Sequence, residues 1–260
     1  MTVVIHRAAC LGCPCRLNFY EGKIMSKITK AFILAGGEAT RLRPITYEIP
    51  KPLLPVKGIP LMEYSIRLLA KHDVREIIIA LRYLSHKIRE YFGDGEKLGV
   101  KIYYTEEQEP LGTAGPLRLA KEQLTEPFFM LGGDILCDID LRQFAQFHRL
   151  HRGLGTIAVT TVEDASRFGM IVIQNDRILD FMEKPEKKQQ TSQYVNSAYY
   201  ILEPEVIDRV PEGYCMIEKS IFPNLAKEGK LFGYRFDGQW FDVGTFSAYE
   251  EAIKNWEIKW

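Results

Sequence analysis

The chain has 260 residues, enough for one large α/β domain or two small ones, and its 34 Lys plus Arg balance 34 Asp plus Glu to a formal net charge of zero. That neutrality argues against a general nucleic-acid binder, which needs a basic surface to displace counterions, and no apolar run reaches the ~18 residues of a membrane span. Five cysteines, three of them among the first fifteen positions, fit a reducing, cytoplasmic setting better than a disulfide framework.

Residues 1–24 show no helix or strand period. His6, Cys10, Cys13 and Cys15 are of zinc-ligand type, although Cys-x-Cys is tighter than usual structural-zinc spacing. Val3 to Ile5 is too short for the apolar region of a secretory signal. Met25-Ser26-Lys27 reads as a natural beginning, so 1–24 is set apart as an extension of open role and 25–260 as the domain proper.

From Lys30 onward, short apolar runs alternate with helix-length amphipathic stretches. Strands are predicted at Ala31–Leu34, Glu76–Leu81, Val100–Tyr104 and Pro127–Leu131. Helices are predicted at Leu61–His72, at Ser85–Phe92 with Ser85 as N-cap, and at Thr113–Leu124. This order predicts a Rossmann-like α/β fold, a mostly parallel sheet flanked by helices. Beyond about residue 154 strands dominate, at Thr156–Val162, Met170–Ile173, Ile178–Glu183 and Val195–Leu202. Helices return at Pro204–Val210 and Ile217–Glu228, followed by a strand at Leu231–Phe236 and a closing helix at Phe246–Trp256. Cys137 and Cys215 read as ordinary buried thiols.

The stretch Leu34-Ala35-Gly36-Gly37-Glu38-Ala39-Thr40-Arg41-Leu42-Arg43-Pro44 carries the most chemistry. Paired glycines directly after a strand let a ligand approach the backbone, and their N–H groups can face phosphate oxygens. Arg41 and Arg43 bring guanidinium forks to the same place. Neither GxGxxG nor GxxxxGK[ST] is present, which sets aside a dinucleotide-binding dehydrogenase and a P-loop NTPase. In Pro50-Lys51-Pro52-Leu53-Leu54-Pro55, three prolines stiffen the chain around one lysine. Asp134, after a buried strand and two glycines, should sit at the open end of the sheet. Asp242 lies in a tight turn between aromatics and Gly244.

AGGEATRLRPIT followed by PKPLLPV resembles the signature of the sugar-1-phosphate nucleotidyltransferases, GGxGTRLxPLT followed by PKPLLP. PLGTAG at 110–115, Gly133-Asp134, Glu183-Lys184-Pro185, Val195-Asn196-Ser197-Ala198 and WFDVGT at 240–245 follow in the family's order. EEQEPLGTAGPLRLA and MIEKSIFP are most like the mannose-1-phosphate guanylyltransferases.

The resemblance implies the nucleotidyltransferase fold and the reaction of an NTP with a sugar 1-phosphate, releasing pyrophosphate; its most specific form implies GTP and mannose 1-phosphate. It implies Arg41, Lys51, Asp134, Lys184 and Asp242 as catalytic residues, with Asp134 and Asp242 holding Mg2+. Cys137 and Asp138 follow in LGGDILCDID and leave the register of the metal acid open. Leu34, Ala35, Gly36, Gly37, Arg41, Lys51, Gly112 and Thr113 would bind the nucleotide. Gly169, Glu183, Lys184 and Asn196 would bind the sugar phosphate.

Two positions depart from the pattern: Ala39 and Ala198 stand where the family has glycine or often has it. The chain stops soon after DVGT, so the C-terminal β-helix of larger relatives is not expected. Two alternatives stay open: uridylyl or thymidylyl transfer to glucose 1-phosphate, and a non-catalytic subunit that binds a nucleotide sugar. No nucleic acid or membrane partner is expected, and a homo-oligomer is left open.

Overall fold

The structure, a computed structural model, describes residues 27–162, 164–186 and 189–259. The zinc reading at His6, Cys10, Cys13 and Cys15 lies outside them. The first half contains β1 (Lys30–Leu34), β2 (Pro55–Val56), β3 (Ile59–Pro60), α1 (Leu61–Lys71), β4 (Glu76–Leu81), α2 (Ser85–Phe92) and β5 (Lys101–Glu106). It continues through β6 (Phe128–Gly132), β7 (Ile135–Cys137) and α3 (Leu141–His151). The second half contains β8 (Gly155–Thr161), β9 (Gly169–Gln174), β10 (Arg177–Glu183), β11 (Tyr194–Leu202) and α4 (Glu205–Asp208). It ends with α5 (Phe222–Lys227), β12 (Leu231–Arg235), β13 (Trp240–Asp242) and α6 (Phe246–Asn255).

Among the described residues nine strands form one sheet, in the order β5-β4-β1-β6-β11-β8-β12-β10-β9. β5, β4, β1 and β6 run parallel, as the alternation of apolar runs and amphipathic stretches requires. Past β6 the sheet becomes mixed: β11 opposes both β6 and β8, and β10 opposes both β9 and β12, while β12 is parallel to β8. One hairpin contributes to this, and the other antiparallel pairs join strands that are not consecutive in the chain. β9 and β10 are joined by Asn175-Asp176 alone, both at positive φ, a turn whose twist suits a two-residue hairpin.

Alternate residues of each strand feed opposite faces. On β1, Ala31 and Ile33 join one apolar layer and Phe32 joins the other, so the sheet is covered on both sides. A third cluster, including Leu42, Leu54, Leu61, Val243 and Trp256, clamps the long loop after β1 to α6 and to the segment after β13. That cluster positions the site. It brings residues near 40–54 against residues near 242–256, about two hundred positions away in the chain.

Four local expectations are corrected. Leu84, in a left-handed conformation, caps α2, and the Ser85 hydroxyl instead donates to Glu106 Oε1 at 2.7 Å. The predicted helix Thr113–Leu124 is only a short 3-10 turn over Gly115–Ala120, because Thr113 and Ala114 are committed to the segment 215–217. The predicted helix Ile217–Glu228 is split into a π turn at Ile217–Ile221 and α5, where Pro223 supplies no amide hydrogen. Helix α3 was not foreseen. Its buried stripe of Leu141, Phe144, Ala145 and His148 contains a histidine, which bonds Thr156 Oγ1 at 2.7 Å and Glu203 Oε1 at 3.1 Å. Asp140 caps that helix through the amides of Arg142 and Gln143. Cys137 and Cys215 are free, buried thiols.

Candidate active site

The carboxyl ends of β1, β4, β5 and β6 lie along one edge of the sheet, and the loops that leave them build the site, as expected for ligands of open α/β sheets. A pocket of about 140 Å³ opens there, lined by Leu34, Ala35 and Gly37 from the β1 loop together with Arg41, Lys51 and Asp134. Lys51 is only 7% exposed. A buried ammonium has to be paired. Its Nζ lies in short contact with Asp134 Oδ2 and 3.8 Å from Asp242 Oδ1. Asp242 reaches the site from β13, which pairs with β7 in a short ribbon that starts beside Asp134. Burial and the facing Asp134 carboxylate push the Asp242 carboxyl above the usual range, against the pull of Lys51, Arg41 and Arg167. Gly244 closes the corner: a Cβ there would lie 3.2 Å from Asp242 Oδ1 and 3.3 Å from Arg41 Nη2. Asp138, the second acid of the motif, points elsewhere, to the Gln239 amide and to Lys259 Nζ at 2.9 Å, and the third, Asp140, caps α3.

A second cavity, about 380 Å³, shares Leu34, Gly37 and Asp134 with the first and extends past Gly112 and Thr113. The two glycines of the β1 loop differ in what they do. A Cβ on Gly36 would meet Glu107 Oε1 at 2.8 Å, whereas one on Gly37 would meet nothing within 4 Å and faces the open cleft. Gly112 sits at φ +77, and a Cβ there would lie 2.5 Å from the Cys215 carbonyl oxygen. The segments 111–115 and 215–217 are thereby clasped: Ala114 N donates to Cys215 O at 2.8 Å, Cys215 N to Leu111 O at 2.9 Å, and Ile217 N to Thr113 Oγ1 at 2.9 Å.

The remaining expected residues sit on the neighbouring strands β9, β10 and β11. Gly169 pairs with Glu183 across the hairpin, and a Cβ on Gly169 would come within 3.1 Å of Glu183 Oε2. Lys184 follows at φ 48, with its ammonium 3.3 Å from Glu183 Oε1 and its side chain largely in solvent. Asn196 opens a bulge in β11. Its Oδ1 accepts from Ala198 N at 2.9 Å and its Nδ2 donates to Tyr200 Oη at 2.8 Å, so half its hydrogen-bonding capacity is spent inside the strand. These residues do not line the two cavities directly. They connect to them through Tyr200, which lines the larger cavity and whose hydroxyl is raised by burial and by the charges of Glu218, Glu183 and Asp134.

Four charged residues of the cleft were not singled out from the sequence. Glu107 and Arg82 line the larger cavity. Glu107 is buried, accepts from Leu111 N at 3.0 Å, and has its carboxyl raised by that burial. Glu218 lines the same cavity. Arg167 lines a third cavity, of about 320 Å³, together with Asp242. Glu107 and Glu218 both lie inside quoted motifs, EEQEPLGTAG and MIEKSIFP, so the signal was present; nothing in a single sequence says which motif acid turns inward.

The donor set suits a hard divalent cation. Two carboxylates, Asp134 and Asp242, converge on one point of the cleft around the Lys51 ammonium. Magnesium is typically held by one or two carboxylates and completed by phosphate oxygens and water. Among the described residues no group of three or more His, Cys, Asp or Glu side chains could hold a metal, so an all-protein cage is not part of this arrangement. Nor is any helix among them long and apolar enough to cross a membrane.

Residues 30–258 match the family model described as nucleotidyl transferase. The chain is 42% identical over 221 residues to the mannose-1-phosphate guanylyltransferase catalytic subunit beta of Xenopus tropicalis, a match covering 83% of this chain and 61% of the relative. The protein of the same description from Danio rerio gives the same figures. The chain therefore spans about 61% of the length of these relatives. Among solved structures, a candidate glucose-1-phosphate thymidylyltransferase from Bacillus anthracis superposes with a TM-score of 0.81 at 26% identity, covering 89% of this chain and 97% of that one. HddC from Yersinia pseudotuberculosis complexed with GMP-PN gives 0.73 at 26% identity, covering 87% and 99%.

Proposed function

Because the chain belongs to the nucleotidyl transferase family, we propose that it transfers the nucleoside monophosphate of GTP to mannose 1-phosphate, forming GDP-mannose and releasing pyrophosphate. The observation that carries this reading is Lys51, a buried ammonium held by Asp134 and Asp242 in the pocket that also contains Gly37 and Arg41. Cations and acids far apart in the chain converge where two phosphates would meet.

An oxygen of the sugar phosphate attacks the α-phosphorus; the new P–O bond forms as the bond to the β-phosphate bridging oxygen breaks, and pyrophosphate leaves. The nucleophile is already an anion, since the second pKa of a phosphate monoester is ~6, so no general base is required. Asp134 and Asp242 would hold Mg2+, which when bound supplies charge neutralisation between the phosphates. Arg41 and Lys51 neutralise the triphosphate, and Lys184, at the end of β10, meets the sugar phosphate. Gly36 and Gly37 bring backbone amides to the phosphates. The work is positioning and electrostatic stabilisation, and loss of one such cation costs on the order of 3 kcal/mol of transition-state stabilisation.

Base choice is supported by Glu107. A carboxylate only accepts hydrogen bonds, and the pairing edge of guanine offers two adjacent donors, N1–H and the N2 amine. Uracil and thymine offer one N–H between two carbonyls, which a carboxylate repels. The names of the guanylyltransferase relatives and the guanine nucleotide in the HddC complex point the same way. Glu183, Asn196 and Gly169 are assigned to the sugar, and a cytoplasmic setting is part of the same proposal.

The test is a screen of GTP, UTP, dTTP, CTP and ATP against mannose 1-phosphate and glucose 1-phosphate with Mg2+, reading pyrophosphate release. The GTP and mannose 1-phosphate pair should give the highest kcat/KM, and a chelator should abolish it. Silence with every pair would overturn the enzyme reading, and a preference for UTP or dTTP with glucose 1-phosphate would overturn the substrate pair.

A further inference from the structure

The cavity that runs past Gly112 contains a carboxylate with no role in the reaction as written above. Glu218 stands in the first turn of the π-helical segment Ile217–Ile221, a wide and uncommon backbone form often found at functional sites. Its carboxylate is held by two donors, the Thr113 hydroxyl and its own backbone amide. Thr113 Oγ1 accepts from Ile217 N at 2.9 Å and donates its proton to Glu218 Oε2 at 2.5 Å, so the clasp between 111–115 and 215–217 fixes the carboxylate in place. Two donors occupy part of a carboxylate that can accept about four hydrogen bonds, and the side chain lines the cavity with Asp134, Ala198, Tyr200 and Tyr214, where its remaining lone pairs can meet a ligand.

Two carboxylates divide that cavity. Glu107 lies by Arg82 and the Leu111 amide. Glu218 instead feels the charges of Glu183 and Lys184, the end of β10, and Tyr200 feels Glu218 and Glu183 together. Glu218 therefore stands on the side of the cavity lined by Ala198 and Tyr200 of β11, where the Tyr200 hydroxyl accepts from Asn196 at 2.8 Å, next to the residues given to the sugar phosphate.

We infer that Glu218 is a specificity-determining residue that accepts a hydrogen bond from a hydroxyl of the hexose ring, working with Glu183 to read the hexose of the nucleotide sugar. This rests on the guanylyltransferase reading above. A rigid acceptor pair selects a polyhydroxylated ring: a site built to bond a hydroxyl rejects the ring that lacks it far more strongly than an apolar pocket rejects a misfit. Glu218 is half-buried, which adds to the penalty for leaving it unpaired.

The experiment is calorimetric titration of GDP-mannose and of GDP, both with Mg2+, into the full chain and into Glu218→Gln. The wild type should bind GDP-mannose more tightly than GDP. The variant should lose roughly 10- to 100-fold in affinity for GDP-mannose while keeping its affinity for GDP within about twofold, and that retention also reports an intact fold. A variant that holds GDP-mannose as tightly as the wild type overturns the inference. So does one that loses GDP and GDP-mannose equally, since that assigns Glu218 to the nucleotide or to the fold. A wild type without preference for GDP-mannose over GDP takes down the substrate pair itself, and this inference with it, which separates the two failures.

Discussion

At Ala39 and Ala198 the backbone is left-handed, with φ of 48 and 61. A side chain in that region carries a steric penalty that glycine escapes, partly offset by the larger chain entropy glycine loses on folding. Ala39→Gly and Ala198→Gly should therefore each stabilise the protein, by up to about 1 kcal/mol, read as a shift of the urea midpoint at unchanged slope. A destabilised variant at either site would mean that the alanine methyl is packed to advantage. These are the two departures from the family signature, and the conformation explains why glycine is usual there; a single sequence shows the methyl but not the φ it has to adopt. The same scale holds the proposed base contact of Glu107. Glu107→Gln replaces one acceptor by a donor beside Gly112, so kcat/KM for GTP should fall roughly 10- to 100-fold and the GTP to UTP ratio should move toward UTP. An unchanged ratio would remove Glu107 from base recognition.

Between residue and fold lies the clasp of 111–115 on 215–217. The sequence shows LGTAG and MIEKSIFP as two motifs a hundred residues apart, and helical periodicity reads both as parts of longer helices. The structure shortens both, because Gly112 at φ +77 lets the Cys215 carbonyl approach and Thr113 spends its hydroxyl on Ile217 and Glu218. Gly112→Ala should cost about 1–3 kcal/mol through strain and overlap with that carbonyl, and should raise KM for both substrates more than it lowers kcat. A wild-type urea midpoint would show that the clasp is not needed. Strands were read more accurately than helices because a β-branched or aromatic run such as Ile77-Ile78-Ile79 declares itself locally. α3 escaped because its inward stripe includes His148, whose burial depends on Thr156 and Glu203 from other elements.

Over the whole molecule, the site joins the two halves. Asp134 follows the parallel half, Asp242 closes the second half, and the cluster around Leu42, Leu54, Val243 and Trp256 holds them together on Lys51. A ligand that binds only this joined state stabilises the fold by mass action, about 2.7 kcal/mol at a hundred times its Kd. Mg2+ with GTP should raise the melting temperature of the wild type by several degrees over GTP alone. Asp242→Asn should lose that Mg2+-dependent increment while retaining the part due to nucleotide. An increment that survives the substitution would take Asp242 out of the metal site.

Composition, the parallel first half, the glycine-paired loop after β1 and the identities of the charged residues were determined by the sequence itself, because glycine pairs, prolines and apolar periods act on their immediate neighbours. Convergence was not. Which acid of LGGDILCDID faces the cleft, that Lys51 is buried between two aspartates, and that Glu107 and Glu218 turn inward were decided only by tertiary packing. Desolvation and Coulomb energy depend on distances between residues that are remote in the chain, and those distances exist only once the sheet and its clamping cluster have formed.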